Sequence, residues 1–206
     1  MTTLTKLYLT TQHELPPPMR DIDLAIWVAD AAAPEAHVRS WAGWSECHVL
    51  AGFHESWCGY RPNLDPWNGT ALAFGNGYIW RFGRHYLAWV DHATLMVPEV
   101  PRALALAGVV LIISHGEEGP SPYVHPLWRA VQANQIFGLR AGPVPSWYLP
   151  CDIDPGEEGV SGMEAQAGGW TIEFDVEQLM EARRRFPIHQ GLRPTLYKAE
   201  AWWSHE

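Results

Sequence analysis

The chain has 206 residues, of which 47% are apolar and 18% charged, so it can fill a core and is not a disordered or fibrous chain. Its 14 basic and 23 acidic residues give a net charge of −9, which argues against general DNA binding and against attachment to anionic lipid. The sequence has no apolar run long enough to span a bilayer and no signal-peptide pattern, so we expect a cytoplasmic protein without membrane association. Its cysteines are few and odd in number, so no disulfide framework is expected.

The first half of the chain predicts strands, one short helix and an antiparallel meander. Pro34 and Glu35 are typical of a helix start, and this helix is expected to run to about Trp44. Gly75-Asn76-Gly77 lies between two apolar runs, as in a β-hairpin turn. The predicted strands are 4–10, 24–29, 47–53, 71–74, 78–82 and 85–91, and the last three would form the meander.

The second half alternates between strands and helices. The run 109–114 is typical of a strand that is buried on both faces. The other predicted elements are helices at 102–107, at 124–137 (ended by Gly138) and at 175–185, and strands at 147–149, 170–174 and 196–203. Together the two halves predict a single globular domain, 1–206, of the α+β class, with a mixed α/β fold as the alternative.

Tryptophan is abundant, with 12 residues in the chain. Most of them are expected in the core, and Trp27, Trp80 and Trp89 fit apolar strand patterns. Trp57 and Trp67, together with Trp202 and Trp203, lie instead in turn-like or terminal segments. Exposed tryptophan is enriched at binding hot spots, so we predict that Trp57 and Trp67 contact a partner.

Acidic residues gather in two Gly-Glu-Glu-Gly segments, 116–119 and 156–159, and in the long loop 152–169. Like-charge runs usually face solvent, but two such loops at one sheet edge would also form a cation site or a docking patch for a basic partner. No cofactor is expected apart from a divalent cation at the 152–158 loop. The acidic candidate residues are Glu117, Glu118, Asp152, Asp154, Glu157 and Glu158.

A candidate catalytic residue, His115, follows the buried strand and precedes a glycine. Catalytic groups collect beyond the carboxyl ends of strands in α/β sheets. The segment Ser114-His115-Gly116-Glu117-Glu118-Gly119 resembles the one that carries the catalytic histidine of caspases. The resemblance implies a cysteine peptidase with His115 as base and Cys151, which follows the predicted strand 147–149, as nucleophile.

Two functions are compatible with these patterns. The first is a non-enzymatic inhibitor, adaptor or immunity-type protein that binds a basic protein partner through its tryptophan-bearing loops and acidic face; nucleic acid is not an expected target. The alternative is a hydrolase that uses His115 and Cys151, or His115 with carboxylates around a metal ion.

Overall fold

The computed structural model describes residues 4–11, 20–28, 35–53, 56–73, 75–115, 126–142, 145–150, 163–166 and 168–185. The strands are β1 (Leu4–Thr10), β2 (Leu24–Val28), β3 (His48–Phe53), β4 (Ser56–Tyr60), β5 (Thr70–Ala71), β6 (Gly77–Phe82), β7 (His85–Val90), β8 (Val109–His115), β9 (Phe137–Ala141), β10 (Ser146–Tyr148), β11 (Met163–Gln166) and β12 (Gly169–Asp175). The helices are α1 (Glu35–Ser45), α2 (His92–Leu95), α3 (Glu99–Leu106), α4 (Pro126–Asn134) and α5 (Val176–Arg185). None of these helices is long and apolar enough to cross a membrane.

Contacts between residues divide the chain into two compact units. Unit 1 comprises Met1–Gly69 and Gly162–Asp175, and unit 2 comprises Thr70–Ser161 and Val176–Glu206. In its described part each unit contains one six-stranded sheet.

The sheet of unit 1 has the strand order β11-β12-β1-β2-β3-β4. Strands β1, β2 and β3 are parallel, and antiparallel strands flank them on both sides. Helix α1 packs on one face, where the Trp41 ring makes edge contacts with Tyr8 and Trp27, with ring centroids 6.4 and 6.2 Å apart. Burial of these large rings accounts for much of the apolar core on this face.

The sheet of unit 2 has the order β10-β9-β8-β7-β6-β5, with parallel β7, β8 and β9. Helices α2, α3 and α4 connect the parallel strands, and aliphatic side chains dominate the core that they share with the sheet. Gly138 lets α4 lie close to β9, because a Cβ atom at this position would be 2.5 Å from Cγ2 of Val131.

Helix α5 is attached to the amino ends of β8 and β9 by side-chain hydrogen bonds. The Arg183 guanidinium donates from Nε to the carbonyl of Gln135 at 3.1 Å and from Nη2 to the carbonyl of Val109 at 3.2 Å. The Gln135 amide donates in return to the carbonyl of Ala182 at 3.0 Å. These side chains thereby give hydrogen-bond donors to backbone carbonyl groups that the pairing of the strands leaves without one.

The structure confirms the α+β class and the meander, since β5, β6 and β7 pair antiparallel in sequence. The predicted helix 124–137 is wrong at its end: α4 stops at Asn134, and Phe137 begins β9. Gln135 adopts a left-handed conformation with φ 48°, so the helix ends there and Gly138 serves close packing rather than capping. Strands β4 and β11 were not predicted, and the predicted strand 196–203 lies outside the described residues.

Candidate active site

The carboxyl ends of β7, β8 and β9 meet at one edge of the unit 2 sheet, the position where α/β proteins place their reactive groups. Trp89 of β7 pairs with Ile113 of β8. Asp91 directly follows β7 and His115 is the last residue of β8, so a carboxylate and an imidazole both lie at this edge of the sheet.

Asp91 is fixed in place by hydrogen bonds. It is the N-cap of α2 and its Oδ1 accepts the backbone N–H of Thr94 at 2.6 Å. Its Oδ2 accepts from Nδ2 of Asn76 at 3.2 Å, and the backbone N–H of Asn76 donates to Oγ1 of Thr94 at 2.9 Å. The hairpin turn and the first turn of α2 therefore hold this carboxylate rigidly at the end of β7.

His115 is the last residue of β8 and is partly exposed. Because side chains alternate along a strand, it lies on the face of Ile113 and Leu111, whereas Ser114 lies on the opposite face with Ile112. The imidazole of histidine gains and loses a proton near neutral pH, and a carboxylate beside it can orient the ring. This edge can accordingly move a proton to or from a bound molecule.

The two cysteines in the described residues are poor nucleophiles. Burial raises the pKa of the Cys47 thiol to about 12. Burial, and then the nearby Glu35 carboxylate, raises the pKa of Cys58. Both thiols therefore stay protonated at neutral pH, whereas the thiolate is the reactive form.

Cys151 lies outside the described residues, but the strand before it has a clear direction. β10 is antiparallel to β9, with Ser146 opposite Arg140 and Tyr148 opposite Gly138, so it leads away from the edge that holds His115. The strand that follows β8 in sequence is β9, which the caspase resemblance did not anticipate. A direct contact between His115 and Cys151 requires the chain to turn back after Pro150, and the pair stays a prediction.

Trp67 is not an exposed binding residue, and that prediction is wrong. It is 2% exposed, and its ring meets His48 edge-on with centroids 4.8 Å apart. The turn-rich segment folds back onto the sheet through a bridge between Tyr60 and Pro66, which carries Trp67 inward. Trp57 is half-buried on β4, with its ring over Gly52.

The acidic candidates lie outside the described residues: Glu117, Glu118, Asp152, Asp154, Glu157 and Glu158. The same holds for Trp202 and Trp203. Among the side chains that the structure describes, no three of the types His, Cys, Asp and Glu come together as a metal site. The divalent cation at the 152–158 loop stays a prediction.

Sequence reasoning missed Asp91 and Asn76, although a signal for both is present. Asp91 follows an apolar strand and precedes Thr94 by three residues, a spacing typical of a helix N-cap. Asn76 was assigned only to the hairpin turn. An N-cap at a strand end marks a residue that the fold positions with precision.

No protein-family profile matches the chain, and no relative was found among curated proteins. Solved structures do resemble it. A carbon–nitrogen hydrolase from Helicobacter pylori G27 is 12% identical, with a TM-score of 0.62 over 95% of this chain and 97% of that one. A CN-hydrolase superfamily protein from Xanthomonas campestris, with an arsenic adduct in its active site, is 15% identical with a TM-score of 0.63 over 93% and 98%.

A third similar structure is a point mutant of an amidase from Nesterenkonia sp. AN1, in which acrylamide has added to the active site cysteine. It is 12% identical, with a TM-score of 0.57 over 90% of this chain and 98% of that one. The chain thus has the fold of carbon–nitrogen hydrolases along nearly its whole length. This finding overturns the prediction of a non-enzymatic partner-binding protein.

Proposed function

We propose that this chain is a hydrolase that cleaves the carbon–nitrogen bond of an amide. The observation that carries the proposal is the likeness to carbon–nitrogen hydrolases over nine-tenths or more of both chains in each comparison above. The edge of the unit 2 sheet supplies groups for proton transfer, His115 and Asp91, where the chemistry of such folds is placed.

The proposed nucleophile is Cys151. The amidase from Nesterenkonia has an active site cysteine, and this chain has three cysteines. Burial holds Cys47 and Cys58 in the protonated form, which leaves Cys151 as the candidate. The peptidase chemistry that the caspase resemblance implied is replaced by amide hydrolysis, since the similar structures are carbon–nitrogen hydrolases.

In the proposed reaction the Cys151 thiolate attacks the carbonyl carbon of the amide and forms a C–S bond. The C–N bond breaks, and the leaving nitrogen takes the proton that the thiol gave up, by way of His115. Water then attacks the thioester, so that a carboxylic acid leaves and the thiol is restored. Asp91 orients the imidazole and stabilises its charged form.

The first test is the alkylation rate of each cysteine against pH, resolved by mass spectrometry. We expect Cys151 to react well below the free-thiol pKa of ~8.5, and His115→Ala to abolish this reactivity. Cys58→Ser is the matched control, because it removes a thiol that burial keeps protonated and should leave the rate at Cys151 unchanged.

The second test is ammonia release from a panel of primary amides. Cys151→Ser should abolish it and Cys58→Ser should not. The proposal is wrong if Cys151 alkylates no faster than an ordinary thiol and does so equally in His115→Ala. Ammonia release that survives Cys151→Ser would also overturn the cysteine mechanism.

A further inference from the structure

A groove of about 270 Å³ lies between the helices of unit 2. The described residues that line it belong to α2, α3, α4 and the turn between α2 and α3, and His115 and Asp91 are not among them. Pockets that hold drug-sized molecules have volumes of about 300–1,000 Å³, so this groove suits a smaller ligand. Its chemistry can be derived from its lining, which is mostly apolar and carries three charged side chains.

The apolar part of the lining includes Met96, whose side chain is 58% exposed, and three prolines. Pro98 and Pro101 lie at the amino end of α3, and Pro126 is the first residue of α4. The first turn of a helix makes no use of its backbone N–H groups, so proline is tolerated there. Because these prolines offer no donor that would hold water, a hydrocarbon group can cover them without leaving an N–H group unpaired.

The charged part of the lining is formed by Arg102, Arg129 and Glu99. Within the described part of the chain, none of the three takes part in an ion pair. Arg102 donates from Nη2 to the carbonyl of Ala133 over a long 3.5 Å, which leaves most of its donors for other groups. Two positive groups and one negative group leave an excess of one positive charge, in a chain whose net charge is −9. Such a groove is complementary to a monoanion.

We propose that this groove binds a monocarboxylate with a short alkyl chain, of the fatty-acid class. The guanidinium groups of Arg102 and Arg129 match a carboxylate in charge and in planar geometry. The alkyl chain covers Met96 and the prolines, which removes apolar surface from water. Glu99 disfavours a second negative charge, so a dicarboxylate or a phosphate dianion binds less well. The site uses neither Cys151 nor His115 and does not depend on the proposed hydrolase activity.

The test is a titration of the full chain with hexanoate, followed by NMR of isotope-labelled methionine methyl groups. The signal of Met96, assigned with Met96→Leu, should shift and saturate. Met163, in unit 1, and Met180, on α5, do not line the groove and should not shift. Between butyrate and hexanoate each added CH₂ group should tighten binding by about threefold to fourfold. Hexanol, which lacks the carboxylate, should bind at least about tenfold more weakly than hexanoate.

Variants decide whether the signal comes from this groove. The double variant Arg102→Gln with Arg129→Gln should weaken hexanoate binding by about tenfold or more. Arg84→Gln is the matched control, because Arg84 is an exposed arginine of unit 2 in the turn between β6 and β7, away from the lining. Cys151→Ser should bind hexanoate as the wild type does, which separates this site from the proposed catalytic one.

Three results would overturn the proposal. The first is a Met96 signal that hexanoate does not move, or that moves no more than the signal of Met163. The second is equally tight binding in the double arginine variant. The third is a Met96 shift that follows the protein concentration instead of hexanoate, since a second copy of the chain would then occupy the groove.

Discussion

The two sheets share a plan, three parallel strands with antiparallel strands on either side, but they are stabilised differently. The helix-facing side of the unit 1 sheet is filled by aromatic rings, and the buried polar side chains described in this unit are hydroxyls. Unit 2 has an aliphatic core in which Gln135 and Arg140 are also buried. Apolar burial stabilises unit 1, whereas unit 2 accepts the cost of buried polar groups at both ends of its parallel strands.

The largest predicted loss of stability concerns the aromatic core of unit 1. Trp41→Ala should lower the free energy of unfolding by about 3–5 kcal/mol, because it removes a fully buried ring that contacts Tyr8 and Trp27. Trp44→Ala, on the same helix but 58% exposed, should change it by less than about 0.5 kcal/mol. Urea unfolding of both variants measures the difference, and equal losses would contradict the assignment of Trp41 to the core.

A smaller loss of stability is expected when a polar contact of unit 2 is removed. Arg183→Ala removes two of the three hydrogen bonds that attach α5 to the amino ends of β8 and β9, and it should cost about 1.5–3 kcal/mol. Arg184→Ala is the matched control, since that side chain is 72% exposed and its ion pair with Glu181 contributes little. Hydrogen exchange of the α5 amides should rise in Arg183→Ala alone; unchanged protection would argue against the attachment.

Asp91 allows the structural and chemical roles of one residue to be separated. Asp91→Ala should lose about 1 kcal/mol through the missing N-cap, whereas Asp91→Asn should stay within a few tenths, because asparagine caps as well as aspartate. Asp91→Asn should nonetheless slow amide hydrolysis, since in the proposed mechanism the Asp91 charge stabilises the protonated imidazole of His115. Thermal unfolding and the rate of ammonia release measure the two effects, and full activity in Asp91→Asn would remove Asp91 from the proposed mechanism.

The smallest effect concerns pH and unit 1. A hydrogen bond from Tyr60 to the Glu35 carboxylate raises the pKa of the phenol to about 12. A raised pKa means that the folded state holds this proton more tightly, so its contribution is complete below pH ~10 and is lost as the pH rises toward 12. Between pH 9 and pH 11 the free energy of unfolding should fall more steeply in the wild type than in Tyr60→Phe. Equal slopes would show that this hydrogen bond does not make the stability depend on pH.

Much of this fold follows from local sequence. The strand 4–10 was predicted at its observed bounds, and the hairpin at 75–77 and the buried strand that begins at 109 were predicted from turn chemistry and apolar runs. The wrong predictions concern segments whose secondary structure is determined by tertiary contacts. β9 is held by parallel pairing with β8, and its glycine, interpreted as a helix cap, is a packing position under α4. β11 carries Glu164 and Gln166 and owes its strand form to pairing with β12.

The candidate site shows the same division. His115 could be found because a polar residue after a buried strand is a local pattern. Asp91 is 24 positions earlier in the chain and comes to the same sheet edge only because β7 and β8 pair in parallel. The burial of Trp67 likewise depends on the bridge between Tyr60 and Pro66, which no local sequence pattern predicts.

The pairing of β1 with β12 has a consequence for how the protein is made. Leu4 lies opposite Asp175, and β1 is a central strand of its sheet, so one of its edges has no partner until the last strand of unit 1 has been synthesised. By then the ribosome has already produced all the strands of unit 2. The sheet of unit 2 can therefore form first during translation, while the apolar segment 7–9 still has an unpaired edge. Nascent chains stalled before residue 169 should for this reason depend on chaperones, and the chain released from the ribosome should not.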